Sequence, residues 1–334
     1  MRRPIKIVIL LICLVLVGSA LHESYLRYRI EKTYPPIGEF VDVELARLHY
    51  LHRQKTSSSD AKTPAIVLIH GASGNARDMA HVFFNSLPPE LDVYAFDRPG
   101  IGWSVNKISQ EQMSSPAAQS DALAQAIDKL GLEKPLIVGF SWGGAVAAAF
   151  ATRHPDKVSG VAALAGVFYP WDGTDVWYQK LAEIPVLNQV FMRLLLVKMG
   201  RQLVPSSIEG TFVPETPTDD YRTKAAIDLI LRPQPFINNS IYGMRLRGHL
   251  ADMVGAYDSI SVPVLLAAGD RDRTVFTPNQ SQRLSKTVKQ AHFLHFKGAG
   301  HMLHHTRTER ITRAIVDMAH GKTLPPGEHY ISIP

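Results

Sequence analysis

A single cysteine among 334 residues excludes an intrachain disulfide. That residue, Cys13, lies in an apolar run with no polar neighbour to hold a thiolate, so cysteine-based nucleophilic chemistry is set aside as well. Internal repeats and low-complexity tracts are absent. The body of the chain also lacks a charge excess. The formal net charge is +6, but residues 1–32 hold six basic and two acidic residues, which leaves thirty basic and twenty-eight acidic residues for the rest. A nearly neutral body gives no electrostatic footprint for nucleic acid. What remains is 46% apolar and 20% charged, the composition of a globular protein long enough to bury a large core.

Long apolar runs are scarce, and the one that exists is at the N-terminus. Ile7 to Val17 is uninterrupted for 11 residues, and from Ile5 to Leu21 the stretch reaches 17 with Lys6 near its edge. A membrane-spanning helix needs about 20 apolar residues, with a lower limit near 17, whereas the core of an export signal needs only about 7–15. Gly18-Ser19-Ala20 supplies the small residues a signal peptidase needs. Residues 1–22 are therefore expected to be a signal anchor or a cleaved signal peptide. A buried core helix would need a wet face, which the run lacks. The positive start, Arg2-Arg3, is expected to stay in the cytoplasm and place the catalytic body outside it. Residues 23–37, ending in Tyr34-Pro35-Pro36, are expected to be a linker.

Short continuous apolar runs follow at 65–69, 93–96, 136–138, 161–164 and 262–268, with helical stretches near 75–86, 116–130 and 143–153. Such runs suit strands buried on both faces of a parallel sheet, and their alternation with helices marks an α/β architecture. Phe40–Val43 and Arg47–Leu51 alternate like an antiparallel pair. After Gly166 the alternation stops. Residues 169–248 carry helical patterns, among them 185–199 and 219–231, before strand pattern resumes near Val262. The expected organisation is a first core part at 38–168, a helical cap at 169–248, a second core part at 249–322 and a tail at 323–334.

The strongest chemical signal is Gly139-Phe140-Ser141-Trp142-Gly143, directly after a buried strand and directly before an Ala-rich helix. Gly-x-Ser-x-Gly in that context is a tight strand-to-helix turn that lifts the Ser141 hydroxyl above the sheet. A serine hydroxyl needs a base. Gly300-His301, in a glycine-containing loop after the apolar run Phe293–Phe296, offers one. An orienting acid should follow a strand and precede the histidine, and both Asp270 and Asp272 meet that condition. The tetrahedral intermediate needs two N–H donors. Trp142 N–H, beside the nucleophile, and Ala72 N–H, in the His70-Gly71-Ala72 loop, are the candidates. His301, His304 and His305 have a spacing that fits a metal on one helical turn. No carboxylate or cysteine with metal-site spacing lies nearby in the chain, so neither metal nor cofactor is expected. Asn238-Asn239-Ser240 matches a glycosylation acceptor.

Taken together, His70-Gly71, Asp97-Arg98-Pro99-Gly100-Ile101-Gly102, Gly139-Phe140-Ser141-Trp142-Gly143 and Gly269-x-x-Asp272 followed by Gly300-His301 resemble the α/β-hydrolase superfamily, over roughly residues 36 to 320. The resemblance implies a mostly parallel central sheet flanked by helices, with an inserted helical cap. It selects Asp272, three residues after Gly269, as the acid, and makes the Asp97–Gly102 block a structural turn. It implies a small-molecule ester substrate, and an N-terminal apolar segment leading to a Pro-Pro stretch is similar to membrane-anchored members. The same triad also serves carbon–carbon bond hydrolases and perhydrolases, and a catalytically weak ligand-binding protein shares the fold. Aromatic residues of the cap segment (Trp171, Trp177, Phe191, Phe212, Phe236) point to an apolar pocket.

Overall fold

The computed structural model describes residues 2–56, 63–172 and 184–332. The polar loop at Ser57–Asp60 and the cap residue Trp177 lie outside the described residues. One ten-stranded sheet organises the molecule, in the order β1-β2-β4-β3-β6-β7-β8-β9-β10, with the two-residue β5 (Val105–Asn106) paired to β2. The antiparallel edge is β1 (Glu39–Asp42), β2 (Ala46–Arg53) and the β2–β4 contact. From β4 (Val93–Phe96) through β3 (Ile66–Ile69), β6 (Leu136–Phe140), β7 (Gly160–Leu164), β8 (Val264–Gly269) and β9 (Ala291–Phe296) every pairing is parallel.

Helices cover both faces, which is why the central strands are apolar at every position rather than at alternate ones. Successive residues of β3 feed opposite cores. Val67 and Ile69 pack with α4 (Pro116–Lys129) and α5 (Trp142–Arg153), whereas Ile66 and Leu68 pack with α2 (Ala76–Ser86). The Ala-rich α5 approaches the sheet closely enough that a Cβ on Gly144 would lie 2.7 Å from the Cα of Gly166.

Between β7 and β8 the chain leaves the sheet. It forms α6 (Pro185–Leu194), α7 (Leu196–Phe212), a short α8 (Tyr221–Lys224) and the 21-residue α9 (Pro233–Met253). The segment 185–199 is thus two helices, broken where Leu195 leaves helical geometry at φ −138°. Ala226, at φ 49°, similarly divides 219–231 into α8 and a 3₁₀ turn. The helix α9 carries no strong apolar stripe and runs past the boundary expected at residue 248.

Where a linker is expected at residues 23–37, one helix, α1, runs from Arg2 to Thr33, and residues 34–38 lie outside helix and strand. Its polar second half finds partners on the body: Glu23 and Ile30 are buried there. The tail expected at 323–334 contains a further strand. Gly327–Ile331 forms β10, parallel to β9, with Glu328 accepting from His295 Nδ1 at 2.6 Å. An edge strand whose side chains are all exposed or only partly buried needs little apolar sequence, and Gly-Glu-His-Tyr-Ile shows little.

Candidate active site

The turn joining β6 to α5 is fixed by sterics. Ser141 sits at φ 52°, ψ −115°, a region that costs a non-glycine residue of order 1–3 kcal/mol. Backbone bonds hold it there, from Ser141 N–H to the Leu164 carbonyl at 2.8 Å and from Gly144 N–H to the Ser141 carbonyl at 2.9 Å. A Cβ on Gly139 would lie 2.1 Å from the Gly143 carbonyl oxygen, and one on Gly143 would lie 2.4 Å from that of Ile69. Only glycine fits either position, and the strained serine stands at the carboxyl end of β6.

Two loops at that same sheet edge bring partners to it. His301, on the loop after β9, faces Ser141 Oγ with Nε2 at 3.1 Å and Asp272 Oδ2 with Nδ1 at 2.7 Å. The His301 and Asp272 side chains are 3% and 0% exposed. Asp272 Oδ1 accepts from the N–H groups of Thr274 and Val275, both at 2.8 Å, so the whole carboxylate is satisfied. Asp270 points elsewhere, accepting from Gly298 N–H at the surface at 2.6 Å. The geometry therefore joins Ser141, His301 and Asp272, separated by 131 and 29 residues of chain, and leaves Asp270 out.

The loop after β3 packs against the same turn. A Cβ on Gly71 would lie 3.0 Å from Ser141 Cβ, so Gly71 is in contact with the turn. Ser73 N–H is engaged by Asn239 Oδ1 at 2.8 Å. Trp142 opens α5, where the first N–H groups of a helix have no intrahelical acceptor. His70 and Arg98 fasten the loop from below. The Gly71 carbonyl receives His70 Nδ1 at 2.7 Å and Arg98 Nη2 at 3.3 Å, while His70 Nε2 accepts from Arg98 N–H at 2.9 Å. That pattern fixes His70 as the neutral Nδ1–H tautomer. Burial, reinforced by the Arg98 charge, pushes its pKa down to about 4. Arg98 is itself buried and donates to Gln119 Oε1 at 3.2 Å. Burial lowers its pKa to about 9, so the guanidinium stays charged at neutral pH. Asp97 ties the same block together, accepting from Ala76 N–H, Trp103 N–H and His49 Nδ1 at 2.7, 2.8 and 2.7 Å.

Ser141 and His301 open on a cavity of about 540 Å³. Its far wall is apolar and comes from the insertion: Phe191, Leu196, Met199, Leu203, Phe212 and Phe236. Trp171 stands apart from that wall and is 40% exposed. A second cavity of about 650 Å³ lies at the opposite edge of the sheet, where Pro64, Ser159 and Pro263 precede their strands. Ligands of α/β sheets bind at the carboxyl ends of the strands, which is the end of the Ser141 cavity.

Residues 64–308 match the family described as alpha/beta hydrolase fold. The chain belongs to the alpha/beta hydrolase fold family. Among its relatives, the (R)-3-hydroxydecanoyl-ACP:CoA transacylase of Ectopseudomonas oleovorans is 25% identical over 256 residues, 73% of this chain and 78% of that protein. An esterase from Exiguobacterium antarcticum superposes with a TM-score of 0.64 at 18% identity, covering 85% of this chain and 99% of its own. The crystal structure of a membrane phospholipase A superposes with a TM-score of 0.61 at 20% identity, covering 96% of this chain and 99% of its own.

Within this alpha/beta hydrolase, one polar cluster escaped the sequence reading. His304 and His305 do not join His301 in a metal-type set, because His301 is turned to Ser141 and Asp272. They meet a carboxylate that arrives from α2. Asp78 Oδ1 lies 2.9 Å from His305 Nε2 and Asp78 Oδ2 lies 3.4 Å from His304 Nε2. The ligand-type atoms of these three residues fall within 4.8 Å of one another. However, His304 Nδ1 is buried without a partner, whereas a metal-bound imidazole uses its second N–H on an acceptor. The set is a hydrogen-bonded network that ties α2 to the His301 loop. Burial alone would raise the Asp78 pKa, but bonds from His304 and His305 hold it well below the usual carboxylate range. Burial, then the neighbouring His305, depresses His304 to about 4. Nothing in the sequence pairs Asp78 with residues 226 positions away. Asn238, the expected glycosylation acceptor, is 1% exposed and donates to the Gly100 carbonyl at 2.7 Å, so its amide is committed inside the fold.

Proposed function

We propose that this alpha/beta hydrolase is a serine esterase that cleaves a carboxylic ester with an apolar acyl part through an acyl-enzyme. The observation that carries the reading is the His301 imidazole held between Asp272 Oδ2 and Ser141 Oγ on the wall of an apolar cavity. Ser141 Oγ attacks the ester carbonyl while His301 Nε2 takes its proton, and Asp272 holds the imidazole in the Nδ1–H tautomer. The carbonyl oxygen, now an anion, rests on the N–H groups of Trp142 and Ala72. His301 returns the proton to the departing alkoxide, which leaves as the alcohol. Water, deprotonated by His301, then attacks the acyl carbon, frees the acid and restores Ser141.

We further propose that α1 crosses a membrane, with the positive start on the cytoplasmic side and the body outside. Its Lys6–Thr33 part has a mean hydropathy of 2.3 over its most apolar stretch and is long enough to span.

Covalent labelling by a fluorophosphonate probe, located to Ser141 by peptide mapping, tests the chemistry. A panel of p-nitrophenyl esters of rising acyl length, run beside a vinylogous diketone, tests the bond type. Labelling with ester turnover supports the proposal. Turnover of the diketone alone assigns carbon–carbon hydrolysis, and no labelling at all leaves a ligand-binding protein.

A further inference from the structure

The two helices that wall the cavity also lie against the N-terminal helix, at one particular height. Ser19 Oγ donates to the Leu194 carbonyl at 3.0 Å, and the Glu23 carboxylate accepts from Val197 N–H. The α6–α7 junction is thereby pinned to residues 19–23 of α1. The uninterrupted apolar run of α1 ends at Val17, and at about 1.5 Å per residue Ser19 lies only about 3 Å further along. The run from Ile5 to Leu21 spans about 25 Å, close to one hydrocarbon core. Once α1 spans a bilayer, the junction of α6 and α7 sits at the boundary between hydrocarbon and headgroups.

The outer face of those helices has the composition of a membrane-interface element. Val190 and Leu195 are 49% and 40% exposed, while their neighbours Phe191 and Leu196 line the cavity. Arg193, Lys198 and Arg201 are exposed on the same segment, and residues 184–203 contain no acidic side chain. Exposed apolar residues mixed with cations alone bind the interface of an anionic bilayer, the apolar side chains entering the headgroup region and the cations pairing with lipid phosphates. One layer of helix separates this face from the space above Ser141.

We propose that the α6–α7 face seats in an anionic bilayer surface and that the cavity takes its substrate from that bilayer, as the acyl ester of a membrane lipid. This rests on the esterase reading above and narrows it. The acyl chain slides from the hydrocarbon layer between Leu196, Met199 and Leu203, and the ester carbonyl reaches Ser141 without the lipid crossing water. The bond made and broken is the one already described, with the lysolipid or alcohol as leaving group and water as the second reactant.

The test uses the full chain reconstituted in phosphatidylcholine vesicles with and without phosphatidylglycerol. Two substrates are compared: a dye-labelled diacyl phospholipid in the bilayer and soluble p-nitrophenyl butyrate. Two surface variants are made, Val190→Ser with Leu195→Ser, and Lys198→Glu with Arg201→Glu. Each double variant is expected to lose about tenfold or more in kcat/KM on the bilayer ester and less than twofold on the soluble one. Wild-type turnover of the bilayer ester is expected to rise with phosphatidylglycerol. Unchanged bilayer turnover in both variants, or a wild type that hydrolyses only the soluble ester, overturns the inference and leaves the esterase reading intact. Loss of both esterase activity and fluorophosphonate labelling sinks that reading instead. Seating is then read without chemistry, from a polarity-sensitive dye on Leu195→Cys in a Cys13→Ser background. Dye emission that stays at its aqueous position in anionic vesicles overturns the inference by itself.

Discussion

The guanidinium of Arg98 lies 4.2 Å above the indole ring of Trp142, and a second of its nitrogens donates to the Gly71 carbonyl. One buried cation thus touches the indole of Trp142, whose backbone N–H is one proposed oxyanion donor, and the Gly71 carbonyl, whose peptide carries the other proposed donor, Ala72 N–H. No carboxylate is hydrogen-bonded to this guanidinium among the described residues, where its partners are Gln119, Gly71 and the indole. Cation–π contact and carbonyl bonding in a dry interior each gain from low dielectric.

Arg98→Met tests that arrangement. A lone buried cation is costly to desolvate, this one has no carboxylate to orphan among the described residues, and the Gly71 carbonyl keeps its bond from His70 Nδ1. The variant is therefore expected to keep its melting temperature within a few degrees. Removing one oxyanion donor outright costs about 10²–10³ in turnover, so loosening one should cost about tenfold or more in kcat, with KM for a short ester little changed. Arg98→Lys should not rescue, because a point ammonium cannot serve Gly71 and Gln119 together. A fall in kcat matched by a collapse in melting temperature would make Arg98 a scaffold residue only.

The two aspartates after β8 make a sharper comparison. Asp272→Asn leaves His301 Nδ1 facing an amide and favours the wrong tautomer, which should cost about 10⁴ in kcat. Asp270→Asn keeps an oxygen that can accept from Gly298 N–H at the surface, removes only a charge, and should stay within threefold of wild type. Ser141→Ala should lose about three orders of magnitude or more. Single-turnover kinetics on the three variants, with circular dichroism to verify folding, distinguish these cases. Equal losses at 270 and 272 would contradict the assignment.

How much of this was legible in the sequence depends on how local each cause is. The turn at Ser141 was readable because Gly139 and Gly143 answer a steric demand made within five residues. The buried strands were readable because a two-sided parallel sheet makes them uniformly apolar. Asp270 and Asp272 were separable only by the family resemblance, since both follow the same strand and the backbone path beyond it decides which one turns inward. Asp78, meeting His304 across 226 residues, left no signal at all. Nor did β10, whose Glu328 and Tyr330 look like tail residues until β9 offers them an edge. The helical break at Leu195 was hidden in an apolar run that reads as continuous helix.

Acid should weaken the fold earlier than its carboxylates would. His70 and His304 have folded pKa values near 4, below the ordinary value of about 6.5. Between those two pH values the unfolded chain takes up protons at both imidazoles and the folded chain does not. Stability is therefore complete above about pH 6.5 and falls as pH drops toward 4, by on the order of 3 kcal/mol for His70. Asp78 and Asp97, whose carboxyls are held below their ordinary range, lose their contributions only below about pH 4. Urea midpoints from pH 7.5 to 4.5 should show this decline, and His70→Gln should flatten it. A wild-type curve that is level down to pH 4.5 would refute the assignment of neutral buried imidazoles.

Truncation at the N-terminus separates the part of α1 that meets lipid from the part that belongs to the body. Val8 to Val17 is exposed throughout. From Glu23 onward the helix is structural. Ile30 is 5% exposed in the core beneath α2, Glu31 pairs with Arg232 at 3.0 Å, and the Tyr34 carbonyl accepts from Trp103 Nε1 at 3.1 Å. Burying an isoleucine contributes about 1.5–3 kcal/mol, whereas a half-exposed ion pair adds at most about 1. A chain beginning at residue 23 is therefore expected to remain folded, soluble and as active on p-nitrophenyl butyrate as the full protein. A chain beginning at residue 38 should lose several kcal/mol, and at about 2–4 °C per kcal/mol for a domain of this kind its melting temperature should drop by about 10 °C. Differential scanning fluorimetry on the two truncations measures the difference. Identical melting curves would mean that residues 23–37 are the linker their sequence resembles, and that the contacts of Ile30 and Glu31 carry no weight in solution.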